Sequence, residues 1–223
     1  MKLFEQFEKD RQKFKDLPDT NSRITFIWDY YKIPILTILT ALLIASISFF
    51  NNLGRGDVLL YSVLLNNDSL LVECDEEVFD RLMSQAGYDM EHKRVDVNTE
   101  LSLGRLENDS ADAETLQVIN ALFMISDLDV YVADEEHFDY FAQADAYADL
   151  SLLINSDLLS KHRDRLHYYE DSNGKKALIG VVLTTDSPLH KAGYYHDEVI
   201  IGIAANAVNL DEAIAFFEQI LSD

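Results

Sequence analysis

Hydrophobic and polar positions divide the chain into three textures. Ile33 to Phe50, IPILTILTALLIASISFF, runs for 18 residues without a charge. At about 1.5 Å per residue such a helix is roughly 27 Å long, close to the hydrocarbon thickness of a bilayer. Lys32 bounds one end; Asn51 and Asn52 bound the other. Pro34 falls in the first turn, where a missing N–H costs little. Phe26, Trp28, Tyr30 and Tyr31 precede the run, as an aromatic belt at the head groups would. The pattern predicts one transmembrane helix over 33–50. Upstream, Phe4, Phe7 and Phe14 fall on roughly one helical face of Met1 to Lys15. That predicts either an amphipathic helix on the inner leaflet or a loosely ordered tail.

The third texture, from 51 onward, alternates short apolar runs with amphipathic stretches. Val58 to Leu65, VLLYSVLL, predicts a strand ended by Asn66-Asn67-Asp68. Asp75 is placed to cap a helix running to Ala86, with Val78, Phe79, Leu82 and Met83 inward and Gly87 as its stop. Arg94 to Leu103 alternates as a half-buried strand. Ser110 or Asp112 then caps a helix burying Leu116, Ile119, Leu122 and Phe123. Leu128 to Ala133 predicts a strand, and Asp134 caps a helix with Phe138, Phe141 and Ala142 on one stripe. Leu178 to Leu183 and Val199 to Ala205 are apolar strands, the latter central and covered on both faces. Asn209 and Glu212 have capping-box spacing before a last helix with Ala213, Phe216, Phe217, Ile220 and Leu221 inward. This alternation predicts an α/β layered sheet.

Charge sets the orientation. Residues 1–32 hold seven basic side chains (Lys2, Lys9, Arg11, Lys13, Lys15, Arg23 and Lys32), whereas the twenty after Phe50 hold only Arg55. The basic side stays cytoplasmic, so the expected organisation is a cytoplasmic arm (1–32), a membrane helix (33–50) and an extracellular domain (51–223). A cleaved signal peptide fits less well, because its n-region would be 32 residues long. The 51–223 part carries 11 basic and 34 acidic residues, which accounts for the net charge of -22. A surface this acidic repels phosphate backbones, so nucleic acid is excluded as a partner.

Motifs for chemistry are missing. The six histidines, His92, His137, His162, His167, His190 and His196, lack the spacing of a helical zinc site and read as isolated surface or half-buried residues. There is no nucleophile elbow and no glycine-rich phosphate loop. Asp127, Asp129 and Asp134 cluster round one strand without the glycine of a calcium loop; they read as strand entry and helix cap. The lone Cys74 reads as a small buried hydrophobe and cannot form an internal disulfide. Asn67-Asp68-Ser69 and Asn108-Asp109-Ser110 match the glycosylation acceptor pattern. Tyr131, Tyr147, Tyr168, Tyr169, Tyr194 and Tyr195 read as core or surface residues, or as stacking platforms for a carbohydrate or peptide. No catalytic, cofactor-binding or metal-binding residue is assigned, and no ligand residue can be named.

Two stretches resemble bacterial extracellular solute-binding proteins, a periplasmic-binding-protein-like family. LDVYVADEEHFDYFAQADAYADLSLLI (Leu128 to Ile154) is similar to a strand-to-helix segment of that family, and IIGIAANAVNLDEAIAFFEQIL (Ile200 to Leu221) to its late strand, asparagine turn and helix. Together they cover 49 residues. The resemblance implies a periplasmic-binding-protein-like fold of two α/β lobes around a ligand cleft, here in reduced form. The expected function is a non-enzymatic, membrane-anchored extracellular binding domain, accessory to a transporter or sensor. The alternative is a protein–protein interaction module of a membrane complex. The partners expected are bilayer lipid around Ile33–Phe50 and a small-molecule ligand or membrane protein.

Overall fold

The computed structural model describes residues 57–104, 112–170 and 174–222, together with Asp19, Trp28, Lys32, Ile33, 36–43 and Ser46. The chain divides into two compact units, Met1–Arg55 and Gly56–Asp223. In the first, Trp28, Lys32, Ile33, 36–43 and Ser46 are helical. Phe4, Phe7 and Phe14 of the predicted arm helix, and eight positions of 33–50, lie outside the described residues. Among the described residues, no helix is long and apolar enough to cross a membrane.

The second unit is built on β1 (Asp57–Leu64), α1 (Val78–Gln85), β2 (Lys93–Asn98), α2 (Asp112–Met124), β3 (Val130–Ala133), α3 (Glu135–Ala142), α4 (Ser156–Lys161), β4 (Leu166–Glu170), β5 (Lys176–Leu183), α5 (Pro188–Lys191), β6 (Val199–Ile203) and α6 (Leu210–Ser222). All six strands join one sheet in the order β2-β1-β3-β6-β5-β4. β1 runs parallel to β2 and β3, and the two crossovers carry α1 and α2. β6 is antiparallel to both β3 and β5, and β5 to β4. The described residues therefore form one lobe, not the two that the solute-binding resemblance implies.

Period-two alternation splits the sheet side chains between two faces. Leu60, Leu64, Val132, Val181, Ile201 and Ile203 face a core closed by Phe79 and Leu82 of α1 and Phe216, Phe217 and Ile220 of α6. Val63, Tyr131, Ala133, Ile179 and Ile200 face the opposite core, closed by Ile119 and Phe123 of α2 and Phe138 and Phe141 of α3. β6 is buried throughout and central, as its unbroken apolar run requires. Each fully buried phenylalanine contributes roughly 2–3 kcal/mol of transfer free energy.

Two glycines make room on the second face. A Cβ at Gly202 would lie 2.6 Å from Phe138 Cζ and 2.8 Å from the Ile179 carbonyl oxygen; one at Gly180 would lie 2.5 Å from Ile200 Cγ2. The Phe138 ring fills that slot and stacks on Tyr147 at 4.1 Å between centroids and 4° between planes.

Helix ends follow the local chemistry with two departures. Asp134 accepts from the His137 N–H, as predicted for the cap of α3. The α1 helix ends in a Schellman arrangement: Gly87 at φ 94° donates to Ser84 O, and Tyr88 donates to Met83 O. Asp75 accepts from Glu77 N, one turn ahead of α1, whose own N-cap Glu77 makes no side-chain bond. Asn209 does not form the predicted capping box in full: its Nδ2 donates to the Asp129 carboxylate, 2.9 Å away.

Candidate functional site at the strand-end edge

Strand directions decide where chemistry can gather. β1, β3 and β5 end, and β4 and β6 begin, at one edge of the sheet. The chain leaves β1 toward β2 on one side and reaches β3 on the other, so this edge contains a topological switch point, the usual position for ligands in open α/β sheets. Two depressions lie along it.

The larger, about 540 Å³, is lined by Lys161, His162, Asp164, Arg165, Thr184, Asp186, Ser187 and Ser222 over an apolar wall of Leu158, Leu183, Ile220 and Leu221. His162 Nε2 donates to the carbonyl of Leu221, 2.8 Å away. Its Nδ1 is then free to accept, and Arg165 Nη2 donates to it. Burial, and then the Arg165 charge, push the His162 pKa down, which favours this neutral tautomer. Arg165 Nη1 also reaches Thr184 Oγ1 at 3.4 Å. The guanidinium is thus aimed by two neutral acceptors.

The smaller depression, about 180 Å³, is acidic: Asp68, Asp134, Asp197 and Glu198 line it with Asn66, Tyr195 and His196. Asn66, at φ 52°, adopts the left-handed turn that asparagine tolerates. Its Oδ1 accepts from Leu103 N at 2.8 Å, and its Nδ2 lies 3.4 Å from Asp134 Oδ2. His137 is nearly enclosed, with Nδ1 2.7 Å from Asp134 Oδ2 and Nε2 2.8 Å from Gly104 O. Both ring nitrogens face acceptors, an arrangement only imidazolium satisfies. The Asp134 hydrogen bond raises the His137 pKa against the opposing effect of burial; burial likewise raises that of Asp134, but the bonds from His137 together outweigh it and leave it lowered.

Five of the six histidines have hydrogen-bond partners on their ring nitrogens. His167 Nε2 lies 2.7 Å from Asp139 Oδ1, and His196 Nδ1 2.7 Å from Asp68 Oδ2. Ser187 Oγ lies 2.7 Å from His190 Nδ1, but this is the cap of α5, and His190 Nε2 is occupied by the carbonyl of Asp197 at 2.8 Å. Among the described residues, no group of three or more His, Cys, Asp or Glu side chains could hold a metal ion.

Tyr195 is the one tyrosine among the lining residues of these two depressions, and it is too buried to offer a stacking face. Tyr131, Tyr147, Tyr194 and Tyr195 are buried. Tyr195 donates to Leu65 O at 3.0 Å, and burial pushes the Tyr194 phenol up to about 12. Cys74 is half-buried and donates to Gly193 O at 3.3 Å; burial raises its thiol pKa, opposing thiolate formation. Asn67 is a brace, not a free acceptor: its Nδ2 donates to Leu64 O and Thr99 O, both at 2.8 Å. Asn108 lies outside the described residues.

Asp129, read from the sequence as strand entry, sits before β3 at the opposite edge. It accepts from Tyr61 N at 2.9 Å and from Asn209 N at 3.0 Å. The Arg165 depression escaped the sequence reading. Its signal was there: Lys161-His162-Arg163-Asp164-Arg165 reverses the local charge of a very acidic part. The chain matches no family model, no curated protein and no solved structure.

Proposed function

We propose that the chain is a membrane-anchored, non-enzymatic extracellular binding domain, similar to a single lobe of a solute-binding protein, that holds its ligand at the strand-end edge. The observation that carries this reading is the 540 Å³ depression, of ligand-binding size, at the strand-end edge beside β4, β5 and the end of α6. The sheet order is compatible with it: the described strands form a single sheet, as a reading with one lobe requires.

Anchoring rests on 33–50 acting as a transmembrane helix. Among the described residues, Leu36 and Leu39 are 67% and 58% exposed, and Ile38, Leu42 and Leu43 are equally bare, an apolar surface that lipid would cover. Its threonines hide their hydroxyls in the manner of helices in lipid: Thr37 donates to Ile33 O at 2.9 Å and Thr40 to Leu36 O at 2.8 Å. The basic residues of 1–32 put the arm in the cytoplasm.

A second reading, a protein–protein interaction module of a membrane complex, draws on Leu70 and Leu71, 79% and 86% exposed in the loop after β1. Protease added to intact cells tests the topology. Digestion of the part after Phe50, with the arm protected, is the expected result. A chain left whole, or found outside the membrane fraction without detergent, refutes anchoring. A melting-temperature screen against sugars, peptides and organic acids separates the readings: a shift with one class supports ligand capture. No shift, with crosslinking through Leu70→Cys to a membrane protein, supports the interaction module.

A further inference from the structure

We propose that the depression beside β4 and β5 binds a small organic carboxylate with an apolar body, Arg165 taking the carboxylate. This deepens the binding-domain reading and rests on it. Residues 51–223 hold 34 acidic side chains against 11 basic ones, so cations here have abundant partners to choose from. Yet among the described residues no carboxylate pairs with Arg165, although Asp164 and Asp186 line the same depression. Instead His162 and Thr184 hold the guanidinium from two sides.

His162 is itself fixed by the Leu221 carbonyl near the end of α6, so the arginine is positioned by the sheet, by α6 and by the turn after α4. A guanidinium has five N–H donors, and two are used here. Three N–H donors remain, enough to serve both oxygens of one carboxylate. Lys161, which pairs with no acidic group among the described residues, adds a second positive charge on the same rim.

The rest of the lining narrows the class. Leu158, Leu183, Ile220 and Leu221 offer an aliphatic wall, so the ligand carries a branched or linear apolar group. Asp164 and Asp186 stand against a doubly charged phosphate, which their repulsion would reject, and tolerate a single negative charge. Their presence also admits an ammonium on the same ligand, so free apolar amino acids share this chemistry.

The test uses the full chain in detergent and titrates it calorimetrically with 4-methylpentanoate, leucine, 4-methylpentanamide and inorganic phosphate. Binding of 4-methylpentanoate or leucine, without binding of the amide or of phosphate, is expected. Arg165→Gln should weaken it by about tenfold or more, the worth of a lost charge-assisted hydrogen bond. Lys161→Gln, at an exposed position, should weaken it less and leave the melting temperature unchanged, so it keeps the test valid if Arg165→Gln unfolds. Binding unaffected by Lys161→Gln and Arg165→Gln, binding of phosphate alone, or no binding of either carboxylate overturns the proposal. Those results leave the anchored-domain reading intact, because protease accessibility of the part after Phe50 decides that separately.

Discussion

Asp129 holds the edge of the sheet away from the candidate site, and removing its carboxylate is a direct test of how the lobe is held together. The residue is 1% exposed. Its Oδ2 accepts from Tyr61 N on β1 and from Asn209 Nδ2, both at 2.9 Å, and its Oδ1 accepts from Asn209 N at 3.0 Å. Three N–H donors thus stand where a buried carboxylate would otherwise need a cation. Hydrogen bonds to a charged group contribute about 1.5–3 kcal/mol each. The sum overstates the loss, because Asp129→Ala also removes the cost of burying the charge and water can enter the gap. The net expectation is a loss of about 3–5 kcal/mol, since two backbone N–H groups are left without acceptors. That is a large share of the roughly 5–15 kcal/mol by which domains are stable. Asp129→Asn is the sharper probe. It keeps the shape but turns an amide N–H₂ toward donors, and about 2 kcal/mol should be lost. Urea unfolding of the full chain followed by far-ultraviolet circular dichroism, with both variants compared at equal m value, measures the difference. Losses below about 1 kcal/mol for both variants would show that the three contacts are replaceable by solvent and would refute the reasoning.

Gly202→Ala sets a Cβ 2.8 Å from the Ile179 carbonyl and against a Phe138 ring already stacked on Tyr147; a loss of about 1–3 kcal/mol in urea unfolding is expected. Tyr131→Phe removes a buried hydroxyl that has no hydrogen-bond partner among the described residues, so stability should stay level or rise, and a clear fall would disprove the assignment. The raised pKa of His137 gives stability that is complete below 6.5 and fades as pH rises through the folded value. The lowered pKa of Asp134 gives stability that is complete above 3.8 and fades as pH falls. The pair therefore contributes fully between these limits, and His137→Gln should flatten the alkaline limb of stability against pH.

How much was legible in the sequence depended on how local the cause was. The α6 helix is the clearest case: all five residues predicted inward are buried, because 3.6-residue periodicity is a property of the segment alone. The Asp134 cap and the Gly87 stop belong to the same class, since each bond closes within five residues. The unbroken run of β6 likewise announced a strand covered on both faces. β4, with its mixed LHYYE, did not stand out, because its place at the sheet edge comes from pairing with β5 and not from any pattern of its own.

The sequence by itself determined the three textures of the chain, the acidic surface and most of the elements, through hydrophobic periodicity and charge that act over a few residues. Only the tertiary structure decided that there is one sheet and not two lobes, because strand order is a choice between distant segments of similar apolarity. It alone brought Arg165, His162, Thr184 and Leu221 together, four residues spread over sixty positions whose meeting depends on where β5 and α6 end. It also spent Asn67 and Asn209 on distant carbonyl and carboxylate partners that no local motif could foretell.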